Sequence, residues 1–332
     1  MTRVLTADDI ARVLTLADCI AGVEKVFRDY AAGSVAKSES LGVRADGGTF
    51  HIKVAQADLF AAKINANFPG NPAAHGLPTI QGIIVLFDLR RGTPVGILDS
   101  ALITTWRTAA ATAVAAKYLA RDHATAAAVI GCGALVCATV EALRLVRPLE
   151  RVHVWDVNHT ARDRCARKLA ASTGLEIVTA SSLDAAIAEP DMIVTCTPAT
   201  RPFLEARHGR AGLFIAAVGA DNPQKSEISP RLMANASIVT DLTEQAAVMG
   251  DLQHAIAAGL LTKNDVHGEL GEVICGRVPG RQTDDQMFIF DSTGTALQDV
   301  IVASLALDRA TTQGLGFEMA FTSGTEAGSA SA

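Results

Sequence analysis

The sequence predicts an α/β protein made of two parts that differ in texture. Three observations predict it. From about residue 41 to 100, apolar and polar residues alternate with a period of two, broken by the turns "ADGG", "FPGNP", "HGLP" and "RRGTP". From about residue 126, short apolar runs alternate with helical stretches, the pattern of parallel strands buried on both faces. The first of those runs ends in Gly131-Cys132-Gly133, a glycine turn between strand and helix.

The 332 residues suit about two domains, and 49% apolar against 19% charged content suits sizeable cores. A net charge of −6 argues against non-specific binding to nucleic acid or to an anionic membrane. Polar residues interrupt every alanine-rich run before ~18 residues, so no transmembrane helix is expected. The start, MTRVLTADDI, carries Asp8 and Asp9 and no apolar signal-peptide region. The six cysteines, Cys19, Cys132, Cys137, Cys165, Cys196 and Cys275, form no C-x-x-C pair. Buried or half-buried free thiols in a reducing cytoplasm are the economical reading. His267 and Glu269 read as loop polarity, and no metal site is expected.

Along the chain, Thr6 with Asp9 and Thr15 with Asp18 look like capping boxes, so the first segment reads as two helices. Ile20, Val23, Phe27 and Tyr30 follow at helical spacing. Residues 41–100 read as an antiparallel sheet or partial barrel. "ITTWRTAAATAVAAKYLA" reads as a long helix connecting the two parts. Strands are then expected near 126–130, 151–156, 176–180, 191–197, 213–218 and 237–241, in a doubly wound pattern. "MFIFDSTGTALQDVIVASLALDRA" adds a strand, a turn and a helix, and the tail "TSGTEAGSASA" reads as frayed.

Gly131 permits a tight turn, and Gly133, followed by Ala134, lets a pyrophosphate approach the backbone at the helix start. Val136 replaces the third small residue of G-x-G-x-x-G, implying looser helix–strand contact. Asp156 ends the next strand, where a carboxylate accepts ribose hydroxyls and repels a 2′-phosphate. This favours NAD over NADP, tempered by Arg162 and Arg164. The plain alternative for Asp156 is a helix N-cap.

In "LFAAKINANFPG", Lys63, Asn65 and Asn67 share one strand face, and Ala62, Ile64, Ala66 and Phe68 the other. Alone, the polar face reads as solvent-facing surface or as a pocket wall. Arg44 in "LGVRADGG", Arg107 in "TWRTAAAT" and Asp221 in "AVGADNPQKSE" also stand out, the last just past an apolar strand ending near Val218.

The ordered set "AAKINANFPGNPAAHGLPTIQG", "LITTWRTAAAT", "VIGCG", "AVGADNPQKSEI" and "FDSTGTALQD" resembles the ornithine cyclodeaminase and mu-crystallin family over nearly the whole chain. The resemblance implies a Rossmann NAD-binding domain, residues 119–304. It also implies an α+β substrate-binding and dimerisation domain formed by both chain ends, residues 1–118 and 305–332, in a homodimer. It implies hydride transfer between a nicotinamide and the α-carbon of an amino acid or its imine. Arg44, Lys63 and Arg107 would clamp the substrate carboxylate, and Asp221 would serve the substrate nitrogen. Lys63 then becomes a pocket lysine with a depressed pKa, suited to proton exchange. Thr108, Gly131, Gly133, Ala134, Asp156, Val218, Lys225 and Ser292 would lie at the cofactor. Where ornithine-specific relatives carry a glutamate, this chain has His51, with Lys53 on the same face, which weakens the case for a diamino substrate. "RQTDDQ" and "FDSTG", with Asp291, resemble the cyclodeaminases more than the ketimine reductases. The leading expectation is ornithine cyclodeamination to proline and ammonia. The alternatives are a reductase of pyrroline-2-carboxylate or another ketimine, an alanine-type dehydrogenase, or a cofactor-loaded binding protein.

Overall fold

The computed structural model describes residues 1–36 and 38–321, so the tail 322–332 lies outside the described residues. The chain opens on a strand the helical reading misses, β1 (Thr2–Leu5). Four residues are too few to show a period, and β1 is defined by its neighbours in the sheet. Both capping boxes form. Thr6 and Thr15 accept from the backbone N–H groups of Asp9 and Asp18, whose carboxylates accept from the threonine N–H groups in return. They start the helices Ala7–Val13 and Leu16–Ala31, and the second buries Cys19, Ile20, Val23, Val26 and Phe27.

β2 (Glu39–Ala45), β3 (Gly48–Gln56), β4 (Phe60–Asn67), β5 (Ile80–Phe87) and β6 (Pro94–Asp99) form an antiparallel meander. "FPGNP" and "HGLP" belong to one β4–β5 connection, which holds the short helix Asn71–Ala74. On β3 and β4 the polar face is largely covered and much of the apolar face is open, while β2 is exposed along its whole length. Lys63 is 2% exposed, while Ile64 beside it is 39% exposed. Leu41, Val43, Phe50 and Ile83 share the open face and are exposed too. So the surface reading of Lys63 is wrong. The helix Ser100–Leu119, capped by the Asp99 carboxylate on the Leu102 N–H, packs against β4 and β5. It is more than a connector, because every residue from Ala109 to Ala116 is at most 1% exposed. Its alanines let the helices Leu16–Ala31, Val136–Arg144 and Ala296–Gln313 pack closely around it.

The second part alternates as expected, with β7 (Ala126–Ile130), β8 (Arg151–Trp155), β9 (Glu176–Thr179), β10 (Met192–Thr195), β11 (Thr200–Leu204), β12 (Phe214–Ala217), β13 (Ser226–Ile228), β14 (Ser237–Thr240), β15 (Gly268–Glu269) and β16 (Phe288–Asp291). Eight of these form one parallel sheet in the order β15-β14-β16-β12-β10-β7-β8-β9. β11 and β13 pair separately, and neither they nor β15 were read from the sequence. The winding direction switches between β7 and β10, which opens a crevice at their carboxyl ends. The helix Ala296–Gln313 leads to β17 (Phe317–Met319), which pairs antiparallel with β1. Both chain ends therefore meet in the first sheet, ordered β17-β1-β6-β5-β4-β3-β2. No helix among the described residues is long and apolar enough to cross a membrane.

Candidate active site at the carboxyl ends of the parallel strands

Gly131 leaves β7 with φ +100°, and a Cβ there would lie 2.9 Å from the Cys196 carbonyl oxygen, so only glycine fits. Gly133 and Ala134 are exposed, and a Cβ added to Gly133 would meet nothing within 4 Å. The helix Val136–Arg144 starts without a side-chain cap, which leaves its first N–H groups open to an anion. Val136 is fully buried in the core below the turn. The Asp156 carboxylate accepts from the N–H groups of Cys132 and Asn158, each at 2.7 Å. It is not the helix cap. Asn158 caps the helix His159–Thr173, and Asp156 reaches back to the glycine turn. An open glycine turn, an uncapped helix start and a carboxylate beside them fit a dinucleotide.

The polar sheet face supplies the second half of the site. Lys53 and Lys63 lie directly opposite each other on β3 and β4, as do His51 and Asn65. Asp299, in the helix Ala296–Gln313, pairs with the Lys63 Nζ at 2.5 Å and with the Arg107 Nε at 3.0 Å. Arg107 also donates through Nη1 to the Gln298 Oε1 at 2.8 Å, and its Nη2 has no partner among the described residues. Gly294 (φ +73°) makes room for the guanidinium, since a Cβ there would lie 2.5 Å from Nη1. Burial drives the Lys63 pKa down to about 7; Asp299 opposes the shift, while Arg107 and Lys53 add to it. Burial raises the Asp299 carboxyl, but Lys63 and Arg107 outweigh it and its pKa is lowered. Lys53 donates to the carbonyls of Thr293 and Gly294, just past β16, at 3.2 and 2.5 Å. The sheet's cations therefore meet the carboxyl end of the parallel sheet, where ligands bind in such folds.

Past β12, Asp221 accepts from the Lys225 Nζ at 2.7 Å, and Lys225 also donates to the Gly219 carbonyl. Burial pushes the Asp221 carboxyl up, but Lys225, Lys53 and His51 together hold it below 3.8. Burial, then Lys53, Lys225 and Lys63, keep the His51 pKa low against the pull of Asp221. His51, Lys53, Lys63, Arg107, Asp221 and Lys225 thus share one electrostatic neighbourhood. Arg44 lies on the same sheet face but is exposed and makes no hydrogen bond or ion pair among the described residues. The Thr108 hydroxyl donates to the Thr104 carbonyl, and Ser292 to Asp241 at 3.4 Å. Val218 is buried, with its N–H on the Thr195 carbonyl. Asp291 is fully buried and accepts from the N–H groups of Asp251 and Leu252, so "FDSTG" gives no evidence of substrate choice through that residue.

The sequence reading misses Asp299 and Glu227. Glu227 accepts from the Thr195 and Thr197 hydroxyls and from the N–H groups of Thr197 and Gly219, at 2.7–2.9 Å. It ties the carboxyl ends of β10 and β12 together. Both acids lie inside quoted motifs, but no spacing marks them as partners of residues far away in the chain. His267 and Glu269 are occupied by backbone groups, Pro279 and Thr243. All six cysteines are free, and Cys275 is exposed rather than buried.

A family model described as ornithine cyclodeaminase/mu-crystallin family matches residues 1–314. The alanine dehydrogenase of Archaeoglobus fulgidus is 34% identical over 96% of this chain and 98% of its own. The iminosuccinate reductase of Paracoccus denitrificans is 38% identical over 80% and 81%. The structure of Thermococcus litoralis Δ1-pyrroline-2-carboxylate reductase with NADH and L-proline superposes with a TM-score of 0.92, at 27% identity, over 96% of this chain and 100% of that one. An archaeal alanine dehydrogenase dimer with bound NAD also scores 0.92, at 32% identity over 97% and 99%, against 0.83 and 29% for a lysine cyclodeaminase over 95% and 94%. The NAD expectation agrees with these relatives. Their names favour the net redox alternatives over the ornithine cyclodeamination that the motifs put first. By its fold, its ordered motifs and this full-length likeness, the chain belongs to the ornithine cyclodeaminase/mu-crystallin family.

Proposed function

We propose that this protein is an NAD-dependent enzyme that interconverts an amino acid and its 2-imino acid, as a net redox reaction. The observation that carries this reading is the buried Lys63–Asp299–Arg107 cluster beside the carboxyl ends of the parallel strands. NAD, when bound, supplies the hydride acceptor or donor for the substrate α-carbon. Gly131, Gly133 and Ala134 would hold its pyrophosphate and Asp156 its ribose, with Thr108, Val218, Lys225 and Ser292 closer to the nicotinamide end. Arg107 offers a free Nη2 to the substrate carboxylate, and Arg44 adds charge farther along the same face. Lys63, with a pKa near 7, is neutral often enough to take a proton from the substrate nitrogen or from water. Asp221 stays ionised and steadies a cationic nitrogen. The free thiols suit a reducing cytoplasm.

The test is stoichiometry. The protein is incubated with NAD and L-alanine, L-aspartate or L-proline, and separately with NADH and pyrroline-2-carboxylate. One NADH formed or consumed per substrate is expected with at least one of them. A parallel tube holds L-ornithine and NAD far below it in concentration. Proline and ammonia in large excess over NAD there would establish cyclodeamination and overturn the net redox reading.

The chain is also proposed to act as a homodimer through the open sheet face of Leu41, Val43, Phe50, Ile64 and Ile83. Light scattering should give twice the 34.6 kDa chain mass. The double substitution Ile64→Asp and Ile83→Asp should give a monomer, and an unchanged dimer would place the interface elsewhere.

A further inference from the structure

Three thiols surround the glycine turn after β7. The Cys196 thiol donates to the Gly131 carbonyl at 3.1 Å, and burial, then Glu227, push its pKa up, so it stays a thiol. The Cys132 thiol, inside the turn, lies 3.8 Å from the Trp155 carbonyl oxygen and donates to the Cys165 sulfur of the helix His159–Thr173. That donor, helped by Lys168 and Arg164, lowers the Cys165 pKa against burial and Asp156. Cys132 and Cys165 are each 7% exposed, and Gly133 and Ala134 beside Cys132 are open, so a small solute reaches the pair. The turn itself has little slack. The Cys132 N–H donates to the Asp156 carboxylate at 2.7 Å, and the Gly131 N–H to the Trp155 carbonyl at 2.9 Å. The helix opposite is anchored by buried Leu169 and Thr173. A disulfide sets its sulfurs about 2.05 Å apart, far inside the contact distance of two thiols. Closing the pair therefore pulls on the turn, and the Cys132 N–H leaves Asp156.

We propose that Cys132 and Cys165 close a reversible disulfide on exposure to a hydroperoxide, and that this bond weakens dinucleotide binding by drawing the glycine turn away from Asp156. The Cys165 thiolate attacks one oxygen of hydrogen peroxide, and the O–O bond breaks. Cys165 becomes a sulfenic acid, and the departing hydroxide takes up the proton the thiol had lost and leaves as water. The Cys132 sulfur then displaces the sulfenic hydroxyl, which leaves with the Cys132 proton as a second water. Two thiols are oxidised to one disulfide, and one peroxide is reduced to two waters. A dithiol reverses the step by thiol–disulfide exchange. By reciprocity, bound dinucleotide opposes the disulfide by the same factor. The proposal rests on the glycine turn as the dinucleotide site and is independent of which amino acid the enzyme takes.

The experiment treats the full chain with hydrogen peroxide, removes the excess, and compares it with the reduced protein. Fluorescence titration with NADH reads affinity, and mass spectrometry of a non-reducing digest reads the linkage. Peptides carrying Cys132 and Cys165 should be joined. NADH affinity should fall at least about tenfold, the range of one lost charge-assisted hydrogen bond, and return with dithiothreitol. Cys165→Ala should bind NADH as the reduced wild type does, before and after peroxide. A linkage from Cys132 or Cys165 to any other cysteine in place of this one, or oxidation without a 132–165 link, overturns the inference. So does a 132–165 disulfide that leaves NADH affinity unchanged, or an equal loss of affinity in peroxide-treated Cys165→Ala. If Cys165→Ala does not fold, the wild-type digest and the dithiothreitol reversal decide the matter. Reduced wild type that binds no NADH would instead overturn the dinucleotide site itself, and this inference with it.

Discussion

Lys63→Met is expected to lower kcat about 10³-fold while leaving NAD binding within a few-fold, because a positioned acid/base typically contributes 10²–10⁴-fold. Fluorescence titration with NADH and steady-state rates measure the two quantities separately. In the wild type, kcat/KM for amino-acid oxidation should climb with pH through about 7, where Lys63 loses its proton. That step should vanish in Lys63→Met. A retained pH step would assign the titration to another group, and retained turnover would remove Lys63 from the chemistry. Stability carries the same signature. The folded pKa of Lys63 is about 7 against an ordinary 10.5, so the unfolded chain binds more protons between those values. Wild-type stability should therefore gain on that of Lys63→Met as pH rises from about 7 to 10.5.

Asp299→Asn is expected to cost about 3–5 kcal/mol, the range for removing one partner of a buried ion pair. It leaves Lys63 and Arg107 side by side without their shared carboxylate. Tm should fall on the order of 10 °C. The loss should be smaller in a Lys63→Met background, because one of the two stranded cations is then gone. Equal losses in both backgrounds would mean that Asp299 acts through backbone packing and not through charge.

The local elements were legible in the sequence because each depends on neighbours a few residues away. The capping boxes of Thr6 and Thr15, the period-two meander and the run of parallel strands all follow from spacing. The glycine turn and Asp156 were legible as well, since a strand, a turn and the next strand lie close together in sequence. β1 and β17 were not, because three or four residues carry no period and gain their pairing only from each other and from β6.

The sequence by itself determined the fold class, the glycine turn after β7 and which residue types face each way on β4. Only the tertiary structure decided which of those faces is inside. Alternation says that Lys63 and Ile64 point apart. It cannot say that the helices Ser100–Leu119 and Ala296–Gln313 cover the lysine side and leave the isoleucine open. The tertiary structure also joined Asp299 to Lys63 across 236 positions of chain, the difference of their residue numbers. A charge pair stabilises through distance in space, and its partners need no fixed spacing in sequence.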